Sequence, residues 1–268
     1  MGWRRQRYTS ISLGSGRGWT GRIRVDGFRF GDPETEVTGI AVAWKPYWKS
    51  LRRALEMGCN FFLGHESIFR AATKGDETTQ AGPLEQEKLV WLRDNGMVVY
   101  RCHDVWDAMP RIGIRDSWAA GLGFEGEPLV DAGYYRLDDA SGYTFGSLCE
   151  HVAERVRTVG HECVLAVGDP AQEVSRIGLG TGAITKLEQM VELGADVCVI
   201  CDDYFRYVRE GALYEELGIP YIVVNHGAKE EWGMENLYEH TKHTFADLPV
   251  HFLPQGCPYR TVCAPSED

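Results

Sequence analysis

The sequence predicts an α/β protein built as two similar domains, and three observations carry that expectation. Short apolar, β-branched runs alternate with amphipathic segments from Val37 to the C-terminus. The alternation breaks once, in an irregular stretch at Trp106–Gly142 marked by Gly121, Gly123, Gly126 and Pro128, and then resumes. Several of the apolar runs end directly on histidines and carboxylates, and α/β sheets gather ligands beyond the carboxyl ends of their strands.

In order, the first rhythm reads as strand VTGIAVAW from Val37, helix Tyr47–Met57, strand Cys59–Leu63, a polar loop through Gly82, helix Pro83–Asn95 and strand Met97–Cys102. Pro83 suits the first turn of a helix, and Gly58 and Gly96 stand where helices end. After a strand at Tyr134–Leu137, the second rhythm gives helix Thr144–Val159, strands Cys163–Val167 and Val174–Leu179, helix Ala183–Leu193, strand Val197–Cys201, helix Tyr204–Leu217 and strand Ile219–Val224. Helix Glu230–Thr244 and strand Val250–Leu253 close the chain. Residues 1–36 read as a loose arm with one edge strand around Gly21–Phe30. The expected division is a first domain over 1–130, completed by the C-terminal strand segment 248–268, and a second over 131–247. Both sheets are expected to be mostly parallel.

Composition narrows the function. A chain of 268 residues with a formal net charge of -11 can bury a full core but offers no positive field for a phosphate backbone, which argues against nucleic acid as a partner. The arginines near the start are followed by no apolar core, and no uncharged apolar stretch reaches membrane-spanning length, so a cytoplasmic protein is expected. The eight cysteines lack a disulfide framework. Cys198 and Cys201 form a CxxC, but inside a strand that separation places them on opposite faces.

The chemistry collects at the strand ends. His65 and Glu66 follow one strand; His103, Asp104 and Asp107 follow another; Asp202 and Asp203 follow a third; His226 and Glu230 follow Tyr221–Asn225. If helical geometry begins near His226, Glu230 lies one turn on and falls on the same face, so an imidazole nitrogen and a carboxylate oxygen converge, as half of a metal site requires. His151, His161, His240 and His243 read as structural.

These residues also resemble a family. LGHESIF is similar to the His-His/Glu-Pro signature of the dinuclear-metal-centre proteins known as GTP cyclohydrolase I type 2, or NGG-one-interacting-factor-three-like. HDVWDA resembles that family's H-x-x-x-D-A stretch, ADVCVICDD its gaDvyiTGD stretch, and NHGAKEEWG its GHxxxE-x-G stretch, in the family's order from Val37 onward. The resemblance implies metal ligands at His65, Glu66, Asp107, His226 and Glu230. It also implies two α/β domains of three-layer type with the metals in the cleft between them, and a ring-shaped homohexamer. This chain departs from the pattern in having Glu66 where many members have a second histidine, Ser67 in place of proline, and Tyr204 and Arg206 where the family has lysine and histidine.

The leading expectation is a hydrolase acting on a nucleotide-like small molecule with two divalent ions, Zn, Mn or Fe, and with His103 or Glu231 moving the proton. Two others stand beside it. IGLGTGA at Ile177–Ala183 fits G-x-G-x-x-A with Asp202 about twenty residues on, as in an NAD(P)-binding oxidoreductase, and would open the helix at Ala183. A non-catalytic, metal-stabilised oligomeric scaffold is the third. The aromatic load at Trp44, Tyr47 and Trp48, at Trp106 and over Tyr204–Tyr207 points to a subunit interface, because one core can hardly bury the first three together.

Overall fold

A computed structural model of the chain describes residues 26–69, 82–183, 186–203 and 205–264. Most of the expected N-terminal arm, the polar loop over 70–81 and Tyr204 lie outside the described residues. The chain divides into two compact units, Met1–Ile114 with Gly233–Pro254, and Arg115–Trp232 with Gln255–Asp268. The first division thus falls at Ile114/Arg115, earlier than the position near 130 read from the sequence.

In the first unit the strands are β1 (Gly27–Phe30), β2 (Ile40–Ala43), β3 (Phe61–Gly64), β4 (Val98–Arg101) and a C-terminal strand, Val250–Phe252, which the whole-chain numbering makes β11. They form one sheet in the order β1-β4-β3-β2-β11. All neighbours run parallel except β1, which pairs antiparallel with β4 at the edge. The three central strands are buried along their whole length, which is why they read as unbroken apolar runs.

Successive residues of β2, β3 and β4 feed two cores. Ile40, Val42, Phe61, Leu63, Val98 and Tyr100 point into one, with Met234, Leu237 and Phe245. Ala41, Ala43, Phe62 and Val99 point into the other, which is covered by helix α1 (Trp48–Glu56) through Leu51 and Ala54 and by α2 (Pro83–Asp94) through Leu92. The unit is therefore a three-layer sandwich. Pro83 opens α2 as expected, and the Glu85 carboxylate accepts the Gly82 N–H at 3.0 Å to close its first turn. Following β4 comes the single-turn α3 (Asp104–Asp107).

Helix α4 (Ile114–Gly121) was not legible in the irregular stretch; it carries Trp118 and Ala119 into the core of the second unit. There β5 (Val130–Ala132), β6 (Tyr135–Thr144), β7 (Leu165–Val167), β8 (Glu173–Gly180), β9 (Val197–Cys201) and β10 (Tyr221–Val224) form a sheet in the order β5-β6-β8-β9-β10-β7. Only β8, β9 and β10 are mutually parallel; the outer pairings are antiparallel, so this sheet is mixed rather than mostly parallel. The signal was there in β6, whose inner end is buried and whose outer end alternates toward solvent.

Helix α5 (Phe145–Arg157) covers one face through Phe145, Leu148, Val152 and Val156. Its start is set by Thr144, whose Oγ1 accepts the Ser147 N–H at 3.3 Å while Ser147 Oγ accepts the Thr144 N–H at 3.0 Å. The other face is covered by α6 (Leu187–Glu192) and α7 (Ala212–Glu216).

Two expected helices are shorter than their sequence pattern. Helix α6 starts at Leu187, not Ala183, and the segment read as helix Tyr204–Leu217 is a π turn, Tyr207–Gly211, running into α7. Gly211 has no side chain where the Tyr221 hydroxyl packs, and the wider turn accommodates that ring. The long last helix, α8 (His226–Thr244), starts four residues before the expected Glu230.

All eight cysteines are free thiols. Among the described residues no helix is long and apolar enough to cross a membrane. In the aromatic cluster Trp44 is buried in the core, Trp48 is half-buried and packs edge-on to Trp91 at 5.7 Å, and Tyr47 is exposed, so the core does not bury all three.

Candidate metal-binding sites

In the first unit β3 and β4 are parallel neighbours, so their carboxyl ends lie side by side. Directly after β3 the backbone turns, and the N–H groups of His65 and Glu66 both donate to the Trp44 carbonyl, at 2.9 and 2.8 Å. His65 is fully buried. Its Nδ1 hydrogen-bonds the Cys102 carbonyl at 2.9 Å, which places the proton there and leaves Nε2 its lone pair. That lone pair faces Asp107 Oδ1 at 3.6 Å, the spacing of two atoms about a shared cation rather than of a hydrogen bond.

His103 stacks on His65 with ring centroids 4.4 Å apart. Its Nδ1 meets Asp104 Oδ1 at 3.0 Å and Asp107 Oδ2 at 3.2 Å, and its Nε2 lies 3.6 Å from Glu66 Oε1. His65, His103 and Asp107 each bring a ligand-capable atom within 4.8 Å of the others. Burial opposes charge on His103, but Asp107, Asp104 and Glu66 outweigh it and push its pKa up to about 10.

Two supports here were missed by the sequence reading. Asp26 Oδ1, just before β1, accepts the His103 N–H at 2.6 Å, and burial raises the pKa of that carboxyl. Arg101, buried at the end of β4, donates to the His65 carbonyl at 2.9 Å and reaches Glu66 Oε2 at 3.4 Å. Asp26 had no signal, being 77 positions from its partner. Arg101 carried one: a cation at the end of an otherwise apolar strand.

In the second unit β9 and β10 are likewise parallel neighbours. Asp202 accepts the His226 N–H at 2.8 Å and the Asn225 side-chain amide at 2.9 Å, and Asn225 Oδ1 accepts the Ala228 N–H at 3.2 Å. This double cap starts α8 at His226. The condition read from the sequence is thereby met, and His226 Nε2 lies 3.0 Å from Glu230 Oε1, one helical turn away. Asp203 Oδ2 takes His226 Nδ1 at 2.7 Å, the carboxylate–histidine arrangement that orients a metal-binding imidazole. Burial works against a charged His226, yet Glu230 and Asp203 hold its pKa well above the ordinary histidine range.

Glu231 does not join this pair: its carboxylate accepts the Gln255 and Gly256 N–H groups at 2.8 and 3.3 Å and ties down the chain there. The glycine loop has a different place from the one its fingerprint suggests. Gly182, at φ +48°, packs against the His226–Glu230 pair, and its carbonyl accepts from the fully buried Lys229 Nζ at 3.3 Å. Asp202 is committed to capping α8, and no helix begins at Ala183.

Both donor sets, imidazoles oriented through one ring nitrogen and facing buried carboxylates, are groups that could hold a divalent cation, whose binding would displace the ring proton. Fold and donors together define a two-sheet α/β protein with histidine–carboxylate clusters at its strand ends. The family model Duf34/NIF3 (NGG1p interacting factor 3) matches residues 23–258, and the chain belongs to that family. It is 28% identical over 212 residues to a GTP cyclohydrolase 1 type 2 homolog of Pseudomonas aeruginosa, covering 74% of this chain and 79% of that one. A GTP cyclohydrolase 1 type 2 homolog of Clostridium perfringens is 24% identical over 217 residues, covering 77% and 78%. A Bacillus cereus protein related to NIF3 shares the fold with a TM-score of 0.77 at 13% identity, over 97% of this chain and 99% of that one.

Proposed function

We propose that the protein is a metal-dependent hydrolase of a small, nucleotide-like substrate. In this reading His65, Glu66, Asp107, His226 and Glu230 hold two divalent ions as a dinuclear centre. The observation that carries it is the His65–Asp107 pair: a fully buried imidazole whose Nδ1 is bound to the Cys102 carbonyl and whose Nε2 faces a buried carboxylate at 3.6 Å. When bound, such ions lower the pKa of a coordinated water and polarise the bond it attacks.

The chain's own residues do the rest. Arg101 neutralises part of the charge on Glu66, Asp203 fixes the His226 ring, and His103, partly open to solvent and held protonated by the carboxylates on both ring nitrogens, is the group that gives the proton and regains it. Glu231 is not given that role, because its carboxylate is occupied by main-chain donors. The name of the curated relatives, cyclohydrolase homolog, fits water attack on a ring carbon of a nucleotide base. A closed homo-oligomer belongs to the same proposal.

The test is elemental analysis of purified protein with hydrolysis assays on nucleotides. Up to two ions per chain are expected. His226→Ala and Asp107→Ala should each lose metal, with activity falling in parallel. Wild-type protein that takes up no metal on reconstitution would sink the reading.

A further inference from the structure

Two lysines meet beneath the turn that carries His65 and Glu66. Lys88, on α2, is 9% exposed, and burial first and then Lys45 push its pKa down. Lysine is seldom buried, because an ammonium taken out of water is costly unless polar groups receive its N–H bonds. Bringing a second ammonium toward it adds to that cost. The acceptors show what the arrangement holds. Lys88 Nζ donates to the Pro46 carbonyl at 2.9 Å and to the Ile68 carbonyl at 3.3 Å, and it lies 5.9 Å from the centre of the Phe69 ring. Lys45 Nζ donates to the Ser67 carbonyl at 2.8 Å.

These bonds tie together the ends of two parallel neighbours, for residues 44–46 follow β2 and residues 65–68 follow β3. The Trp44 carbonyl takes the His65 and Glu66 N–H groups, Lys45 crosses from the first segment to the second, and Lys88 reaches both from α2. Glu66 is the residue with most to gain. Its Oε2 accepts the Ser67 N–H at 3.3 Å and meets Arg101 at 3.4 Å, and its Oε1 lies 3.6 Å from His103 Nε2. Contacts of that length leave a long side chain room to swing, so the place of the carboxylate follows the main chain beneath it.

We propose that Lys45 and Lys88 are positioning residues for Glu66. By holding the Ser67 and Ile68 carbonyls they fix the turn on which Glu66 stands and aim its carboxylate at the cation it takes in the hydrolase reading, on which this inference rests.

Amide hydrogen exchange and Co(II) titration, both on the full chain stripped of metal, test it together. In Lys45→Met and in Lys88→Met the His65, Glu66 and Ser67 amides should exchange about tenfold faster, while those of Phe61–Gly64 keep their wild-type rates. Co(II) affinity should fall roughly 10–100-fold in each. Lys45→Arg and Lys88→Arg, which keep a donor, should recover part of both losses. Lys45 is only half-buried, which keeps the test open should Lys88→Met not fold. A cycle with Glu66→Ala isolates the route: once that carboxylate is gone, Lys45→Met should cost no further Co(II) affinity. Wild-type exchange rates in the methionine variants overturn the proposal. Faster exchange throughout Phe61–Gly64 overturns it too, as the mark of a merely structural role, and so does an equal loss of Co(II) affinity with and without Glu66. Wild-type protein that binds no Co(II) sinks the hydrolase reading, whereas the hold of the lysines on the turn is read from exchange without metal, so the two fail separately.

Discussion

A side chain at position 182 would collide with Glu230: a Cβ built on Gly182 stands 2.7 Å from Glu230 Oε1 and 3.5 Å from His226 Nε2. The glycine loop is a wall of the His226–Glu230 site, and its tightness there leaves the carboxylate a single place to lie.

Gly182→Ala should therefore act twice. The residue is at φ +48°, so alanine brings strain of about 1–3 kcal/mol, and the displaced carboxylate should cost metal binding as well. Urea denaturation and Co(II) titration read the two effects. Retention of full metal affinity in the variant would show that the contact does not position the ligand.

Asp203→Asn tests the orientation of His226. Losing the charged partner at 2.7 Å from Nδ1 should reduce metal affinity roughly 10–100-fold while leaving the melting temperature nearly unchanged. The readout is competition with a chromogenic chelator, and an unaltered affinity would remove Asp203 from the site.

Lys88 gives the protein a predictable response to alkali. Its ammonium, which donates to the Pro46 and Ile68 carbonyls, is held at about 8, below its ordinary 10.5, first by burial and then by Lys45. Between those values the unfolded chain binds a proton that the folded chain does not, so this residue makes stability rise with pH from about 8 to about 10.5. Urea midpoints compared across that window should show a smaller rise, or a steeper fall, in Lys88→Met than in wild type. Parallel pH profiles would contradict the assignment.

Gly121→Ala should be the most damaging conservative change in the second unit. The Trp232 ring occupies the space a Cβ would need, and Trp232 also packs on Trp118 at 5.6 Å, so it has little freedom to withdraw. A loss of about 1–3 kcal/mol is expected in urea denaturation, without loss of metal. A wild-type midpoint would mean that the ring moves freely.

What the sequence revealed depended on how local each cause was. Strands such as Phe61–Gly64 and Val197–Cys201 were legible because both faces are buried and every residue is apolar. The pairing of His226 with Glu230 was legible from spacing, but the true start of its helix was not, because the cap comes from Asp202 on another strand. Asp26 was hidden for the same reason, and so was the anchoring of Gln255 and Gly256 that removes Glu231 from the chemistry. The short helix at Ile114–Gly121 and the π turn at Tyr207–Gly211 escaped because tertiary packing on Trp232 and Tyr221, rather than local periodicity, shapes them.

The strict alternation of β2, β3 and β4 between two cores makes the length of this chain count in steps of two. Removing one residue from Phe61–Gly64 would exchange the contents of both cores and turn His65 away from Asp107, whereas removing two would keep every side chain on its own face and only draw the histidine back along the strand. Insertions and deletions that survive in this sheet should therefore be confined to its connections, and a variant library randomised in length as well as sequence would recover that parity without any reference to the metal.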